Sequence, residues 1–268
     1  MKKKLTKKQI IIISVTAAIL VAAVTLSVTL PIVLSKEQIP QPHFEEFDQK
    51  IDMYVTVAWE KARNADGYTL QYVYGNIVTE EDKIVTVRTD GLFYRIERQK
   101  GVLACRIKRN SATGRDGAYS EWIYLNVAPL KLEKVSNVTL NAAGILSWQK
   151  AKYNDRGVLK DVPTYVVDLK FEGEYFDPTI YSGAKTTENN LRDYVRIYLA
   201  GLMSDYDEAT DPWQDITLAV KIKSLNYYEK GGIKTSSGYE FLYNAYEESE
   251  YYEQVIKIDK TLYKSMKG

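Results

Sequence analysis

Cysteine and histidine are almost missing from this chain: Cys105 and His43 stand alone of their kinds among 268 residues. A single cysteine forbids an intramolecular disulfide, so any domain here must be held together by its core. One histidine and one cysteine are also too few for a zinc site, and no metal or cofactor is expected. A Ser-His or Cys-His couple would need His43 beside a nucleophile inside a domain. His43 lies instead in a segment punctuated by Pro40 and Pro42, which reads as a stalk. Cys105 falls in an alternating apolar pattern and reads as a small buried hydrophobe. Net charge is scarce too. The formal value is +1, and setting aside five lysines at the N-terminus leaves −4, which supplies no electrostatic reason to bind nucleic acid.

Acidic clusters are present but incomplete as sites. Asp205-Tyr206-Asp207-Glu208-Ala209-Thr210-Asp211 spaces oxygen ligands as a calcium ion could use them, yet it lacks the glycine and terminal glutamate of an EF-hand loop. It reads as a solvated acidic turn. Glycoside hydrolysis would need two carboxyl groups about 5–10 Å apart across a cleft, and no pair can be placed so from the sequence. The expectation is therefore a protein that is not an enzyme.

What the chain has in quantity is an apolar run. Ile10 to Leu34 is 25 residues without a charge, behind Lys2, Lys3, Lys4, Lys7 and Lys8. A helix of that length spans about 37 Å at ~1.5 Å per residue, enough to cross a bilayer core with some tilt. The lysines hold its start in the cytoplasm, so the remainder is expected outside. A cleaved signal peptide is the rival, but its apolar region is shorter, and Val33-Leu34-Ser35 lacks the small residue three before the cut. Lysine outnumbers arginine 26 to 10 and there are 22 tyrosines, as in AT-rich genomes, which points to a bacterial surface.

Beyond the stalk, short runs rich in Val, Ile, Tyr and Thr alternate in polarity between turn residues, the pattern of a β-sandwich. The runs repeat. Val57-Ala58-Trp59-Glu60-Lys61-Ala62 returns as Leu146-Ser147-Trp148-Gln149-Lys150-Ala151. Leu103-Ala104-Cys105-Arg106-Ile107-Lys108 returns as Leu218-Ala219-Val220-Lys221-Ile222-Lys223. Tyr68 to Val73 matches Tyr165 to Lys170, and Tyr119-Ser120-Glu121-Trp122-Ile123-Tyr124 has a weaker echo in Tyr251 to Ile256. The period-2 rule turns Leu103, Cys105 and Ile107 inward against Trp59, and Leu218, Val220 and Ile222 inward against Trp148.

On these residues the chain resembles the fibronectin type III family. The Val/Leu-x-Trp strand, the Tyr-led third strand, the alternating Leu-x-Cys/Val-x-Ile strand and Ser120-Glu121-Trp122 carry the resemblance over about residues 45–260. The family's Pro-Gly-Thr-x-Tyr before the alternating strand is absent, with Leu103 and Leu218 standing where its tyrosine would be. Arg-Gly-Asp is absent as well. The resemblance implies an all-β chain, two tandem immunoglobulin-like sandwiches following the N-terminal transmembrane helix. The expected division is a cytoplasmic start 1–9, a signal-anchor helix 10–34, a stalk 35–44, domain one 45–128, domain two 129–260 with long loops, and a tail 261–268.

Domain two is longer in three places. Residues 153–162 extend the loop after its Trp strand. Residues 185–215 are expected to hold a short helix near Leu191 to Met203, and 227–250 a further strand at Tyr239 to Tyr243. The family places the first and last of these loops at one end of the sandwich. Tyr227, Tyr228, Tyr239 and Tyr243 crowd there, and tyrosine suits recognition of proteins or sugars. They are the expected ligand contacts, with domain one as spacer and domain two as presented head. The expected function is a cell-surface binding, adhesion or spacer module with a protein or envelope-polysaccharide ligand. The alternative is a non-enzymatic subunit of a cell-envelope membrane complex whose anchor helix makes the key contact.

Overall fold

The computed structural model describes residues 39–112 and 114–267. The apolar run 10–34 lies outside the described residues, and among them no helix is long and apolar enough to cross a membrane.

Domain one comprises β1 (Pro42–Phe44), β2 (Tyr54–Trp59), β3 (Gly67–Tyr74), β4 (Val85–Thr89), β5 (Phe93–Glu97), β6 (Gly101–Asn110) and β7 (Ile123–Val127). They pair as two antiparallel sheets, β1-β2-β5 and β4-β3-β6-β7. A linker strand, β8 (Leu130–Lys131), leads into domain two. There, β9 (Ser136–Leu140) and β10 (Leu146–Gln149) precede a hairpin of β11 (Lys152–Asp155) and β12 (Val158–Asp161). Next come β13 (Thr164–Gly173), β14 (Phe176–Thr186), β15 (Asn190–Leu191), α1 (Tyr194–Leu202) and β16 (Ile216–Leu225). A second hairpin, β17 (Tyr228–Lys230) and β18 (Ile233–Thr235), leads to α2 (Glu240–Ala245), β19 (Tyr246–Glu247), β20 (Tyr252–Ile258) and α3 (Lys260–Lys267). Without the hairpins the wiring of domain one returns: β9-β10-β15 faces β14-β13-β16-β20. Both domains are antiparallel β-sandwiches of the same wiring, three strands facing four, as the resemblance implies.

Each core forms where the alternating strands turn their apolar residues inward. Leu103, Cys105 and Ile107 are fully buried and pack with Val55, Val57, Trp59, Tyr68 and Leu70. In domain two Leu218, Val220 and Ile222 pack with Leu146, Trp148, Tyr165 and Val167. The registers match: Tyr68 lies opposite Arg109 and Tyr72 opposite Cys105, while Tyr165 lies opposite Ser224 and Leu169 opposite Val220. The Trp–Tyr contact is also duplicated, with centroids 5.5 Å apart for Trp59–Tyr68 and 5.6 Å for Trp148–Tyr165.

Four expectations change. First, β1 falls inside the expected stalk, because Pro42, His43 and Phe44 pair with Trp59, Ala58 and Val57. His43 is therefore an exposed edge-strand residue. Proline is tolerated there because an edge strand leaves its outer side unpaired. Second, the expected tail 261–268 is mostly α3, which buries Tyr263 and Met266 in the core of domain two.

Third, Tyr239 to Tyr243 is not a strand. Gly238 turns the chain at a φ of 77°, and helix α2 follows, burying Phe241, Leu242 and Ala245 on one face. Fourth, the last repeat block is displaced. Ile123 lies opposite Cys105, but it is Gln254 that lies opposite Val220. By hydrogen bonding, the counterpart of Ser120 is Ser249 rather than Tyr252. Ser120 N–H donates to the Ile107 carbonyl and its Oγ accepts from Ile107 N, at 2.8 and 3.1 Å. Ser249 does the same with Ser224, at 3.0 and 2.9 Å. The helix expected near Leu191 to Met203 is present as α1, with Val195 and Leu199 buried.

Candidate functional site

The long loops of domain two do not point away from domain one. They meet it. The turn between β5 and β6 brings Lys100 onto the C-terminal end of α2. Its backbone N–H donates to the Asn244 carbonyl at 2.9 Å, and its ammonium donates to the carbonyls of Tyr243 and Tyr246 at 3.0 and 3.1 Å. Helix ends leave such carbonyls without intrahelical partners, and a cation there also complements the helix dipole. Burial, the main cause, draws the Lys100 ammonium below the usual lysine range.

Two further contacts close the joint. The β11–β12 hairpin turns through Arg156 and Gly157, at φ of 56° and 98°, as a two-residue hairpin turn requires. That aims Arg156 at Glu97 of domain one, 3.3 Å away, with its guanidinium over the Phe241 ring. Met53 of domain one packs against the core of domain two. Beneath them Arg98 is wholly buried. It donates to the carbonyls of Asp52 (2.8 Å), Gln49 (2.6 Å) and Ala128 (2.5 Å), and it covers the Phe47 ring. Arg98 thus ties the 48–52 turn to the linker, and burial lowers its affinity for the proton. The linker then joins domain two by parallel pairing of β8 with β19.

The tyrosines of residues 227–250 take part in this packing. Tyr227 is buried, with the Lys234 ammonium 3.8 Å from its ring centroid, so it is not a free contact residue. Tyr228 and Tyr239 stack on each other at 5.9 Å, nearly parallel. Tyr243 is exposed at its edge but lies between the ammonium groups of Lys100 and Lys234. The loops expected to stand clear of domain one at a presented head instead touch it. The apolar face of α2 packs into the core of domain two itself, and domain one adds Met53 and the polar contacts of Lys100 and Glu97.

A cleft of about 400 Å³ opens beside the joint, between the 50–53 turn of domain one and β8, β10 and β11 of domain two. Ile51, Met53 and Leu159 form its apolar surface, over the buried Leu130 and Tyr153. Lys50, Lys131, Lys134, Lys150 and Lys152 line it, against Glu133. The Tyr153 ring meets Tyr246 edge to face at 5.8 Å. Its hydroxyl is buried without a hydrogen-bond partner among the described residues, and burial pushes it up to about 12. These residues are scattered through turns and strand ends, and nothing in their spacing signals that they converge.

Other candidates resolve into structure. Asp207 accepts from Ala209 N and Asp211 accepts from Asp207 N, at 2.9 and 2.8 Å, while Glu208 pairs with Lys264. Asp207 and Asp211 thus hold their own turn together, and Glu208 ties it to α3. Among the described residues no group of three His, Cys, Asp or Glu is placed to hold a metal ion. Burial pushes the Cys105 thiol far above its ordinary range.

No family model matches this chain, and no curated protein does. Among solved structures, a two-domain fibronectin type III segment of chicken tenascin aligns with 82% of this chain and 99% of its own length. The identity is 13% and the TM-score 0.32. Fibronectin domains one to three of chicken CNTN1 align over 83% of this chain and 66% of theirs, at 11% identity and a TM-score of 0.28.

Proposed function

We propose that this chain is a non-catalytic binding module presented outside a cell membrane by its N-terminal apolar segment, with both sandwiches acting as a single unit. The observation that carries this reading is the Lys100 contact with the end of α2, which joins the domains and leaves a walled cleft between them. A spacer needs no such joint, whereas a binding site shared by two domains does. Ligand sites favour domain junctions for the same reason: two rigid walls define a concave surface that neither possesses alone. On this reading the junction is the ligand-contact surface, and Tyr243, whose ring lies under the Lys100 ammonium, is the expected tyrosine that supports it.

Protease added to intact cells tests the display. Removal of everything beyond about residue 36, leaving a small membrane-held N-terminal fragment, is the expected result. Full protection of residues 39–268 would reverse the orientation.

A further inference from the structure

We infer that the interdomain cleft binds an acidic saccharide, with the sugar ring on the apolar surface and its anionic groups on the lysines. The first observation is charge. Five lysines converge on the cleft against one glutamate, although the chain without its N-terminal lysines is net negative. Crowding like charges destabilises a folded protein unless something offsets it. Counter-charges exist on one side only. Lys134 lies 3.1 Å from Glu250, and Lys131 lies 3.6 Å from Glu250 and 3.9 Å from Glu247. Among the described residues Lys50, Lys150 and Lys152 have no ion pair, and they face the cleft from both domains.

The second observation is the surface between those lysines. Ile51 and Leu159 are exposed there and Met53 is half-buried, giving an apolar surface with the buried, unpartnered phenol of Tyr153 beneath it. A purely electrostatic site for a flexible acidic peptide has no use for such a surface. A sugar presents both faces at once, since its C–H groups pack on apolar surface while its acidic groups meet the rim. Lysine rather than arginine also fits. Ammonium groups are mobile point charges, suited to anions repeated along a chain rather than to one fixed bidentate partner.

This inference rests on reading the chain as a binding module, and the topology assay tests that reading separately. The full-length protein is titrated with four probes: oligogalacturonate, dextran sulfate, uncharged dextran and polyglutamate. At least one acidic saccharide is expected to bind, more weakly as salt rises, with dextran silent and polyglutamate weaker. Lys50→Gln with Lys150→Gln and Lys152→Gln is expected to weaken that binding at least about tenfold. A control triple on the far sheet, Lys170→Gln, Lys221→Gln and Lys257→Gln, should leave it within about twofold. Equal loss in both triples, tighter binding of polyglutamate, or no binding of either acidic saccharide would each overturn the inference.

Discussion

Lys100 of the first sandwich places its ammonium 3.0 Å from the carbonyl of Tyr243 in the second, so that a lysine of one domain caps a helix of the other. The joint is therefore made by polar groups that would otherwise lie unpaired at a helix end. Exposed tandem domains usually leave such groups to water and keep their freedom to move. Here the backbone N–H of Lys100 and its side chain together take up three carbonyls.

Lys100→Met should loosen the joint without unfolding either core. Hydrogen bonds to a charged group contribute about 1.5–3 kcal/mol, and water can replace part of that here. The expected result is a loss of about 1–2 kcal/mol and two calorimetric transitions where the parent shows one. Small-angle scattering should show a larger radius of gyration. An unchanged profile would mean that the hydrophobic contacts of Met53 hold the joint alone.

Arg98→Met should cost more. It removes the guanidinium that donates to the carbonyls of Asp52, Gln49 and Ala128. Hydrogen bonds to a charged group contribute about 1.5–3 kcal/mol each, and the loss should reach at least about 3 kcal/mol in denaturant midpoint analysis. Arg98→Lys should not rescue it, because one ammonium cannot reproduce the fork of a guanidinium.

Trp59→Ala and Trp148→Ala should each destabilise its own domain by about 3–5 kcal/mol. Cys105→Val should be nearly neutral, since Val220 fills the matching position. The thiol should resist alkylation until the domain unfolds, as a wholly buried group with raised proton affinity must. Fast labelling of the native protein would contradict its place in the core.

Tyr227→Ala should lower stability by about 2–4 kcal/mol, because the ring is buried rather than offered to a ligand. The measurement is thermal melting. A variant that melts with the parent but loses a ligand would return Tyr227 to the contact surface.

Acid should weaken the hairpin at the joint. Burial favours protonation of Asp155, but its bonds to Lys160 and Arg156 outweigh this and hold its carboxyl below the usual range. A group whose folded value is depressed contributes stability above its unfolded value, about 4, and loses it as pH falls through the folded value. Asp155→Asn should therefore destabilise the protein at pH 7, and the difference from the parent should shrink as pH falls through the parent's folded value. Melting curves from pH 7 to 2.5 measure this.

Strand alternation and the duplicated Trp and Leu-x-Cys/Val-x-Ile blocks were legible without coordinates, because a residue's face in a strand depends only on its parity along the chain. Pattern reading fails by a single residue in β20, where alternation holds but the match to β7 is offset, because only the pairing with β16 fixes the register. It fails again at Tyr239 to Tyr243, where five residues of mixed polarity fit either period and packing of Phe241 and Leu242 decides for the helix.

The amino-acid sequence by itself determined two sandwiches, their internal cores and an apolar N-terminal run, all of them local periodicities. Tertiary structure alone decided that the inserted loops of domain two close upon domain one. It also brought Lys50 together with Lys131, Lys134, Lys150 and Lys152 around one cleft. The physical reason is range. Periodicity reports which way a side chain faces within its own strand, whereas convergence of charges from two domains depends on the angle between them, set by Lys100, Arg98 and Arg156 through contacts far apart in the chain.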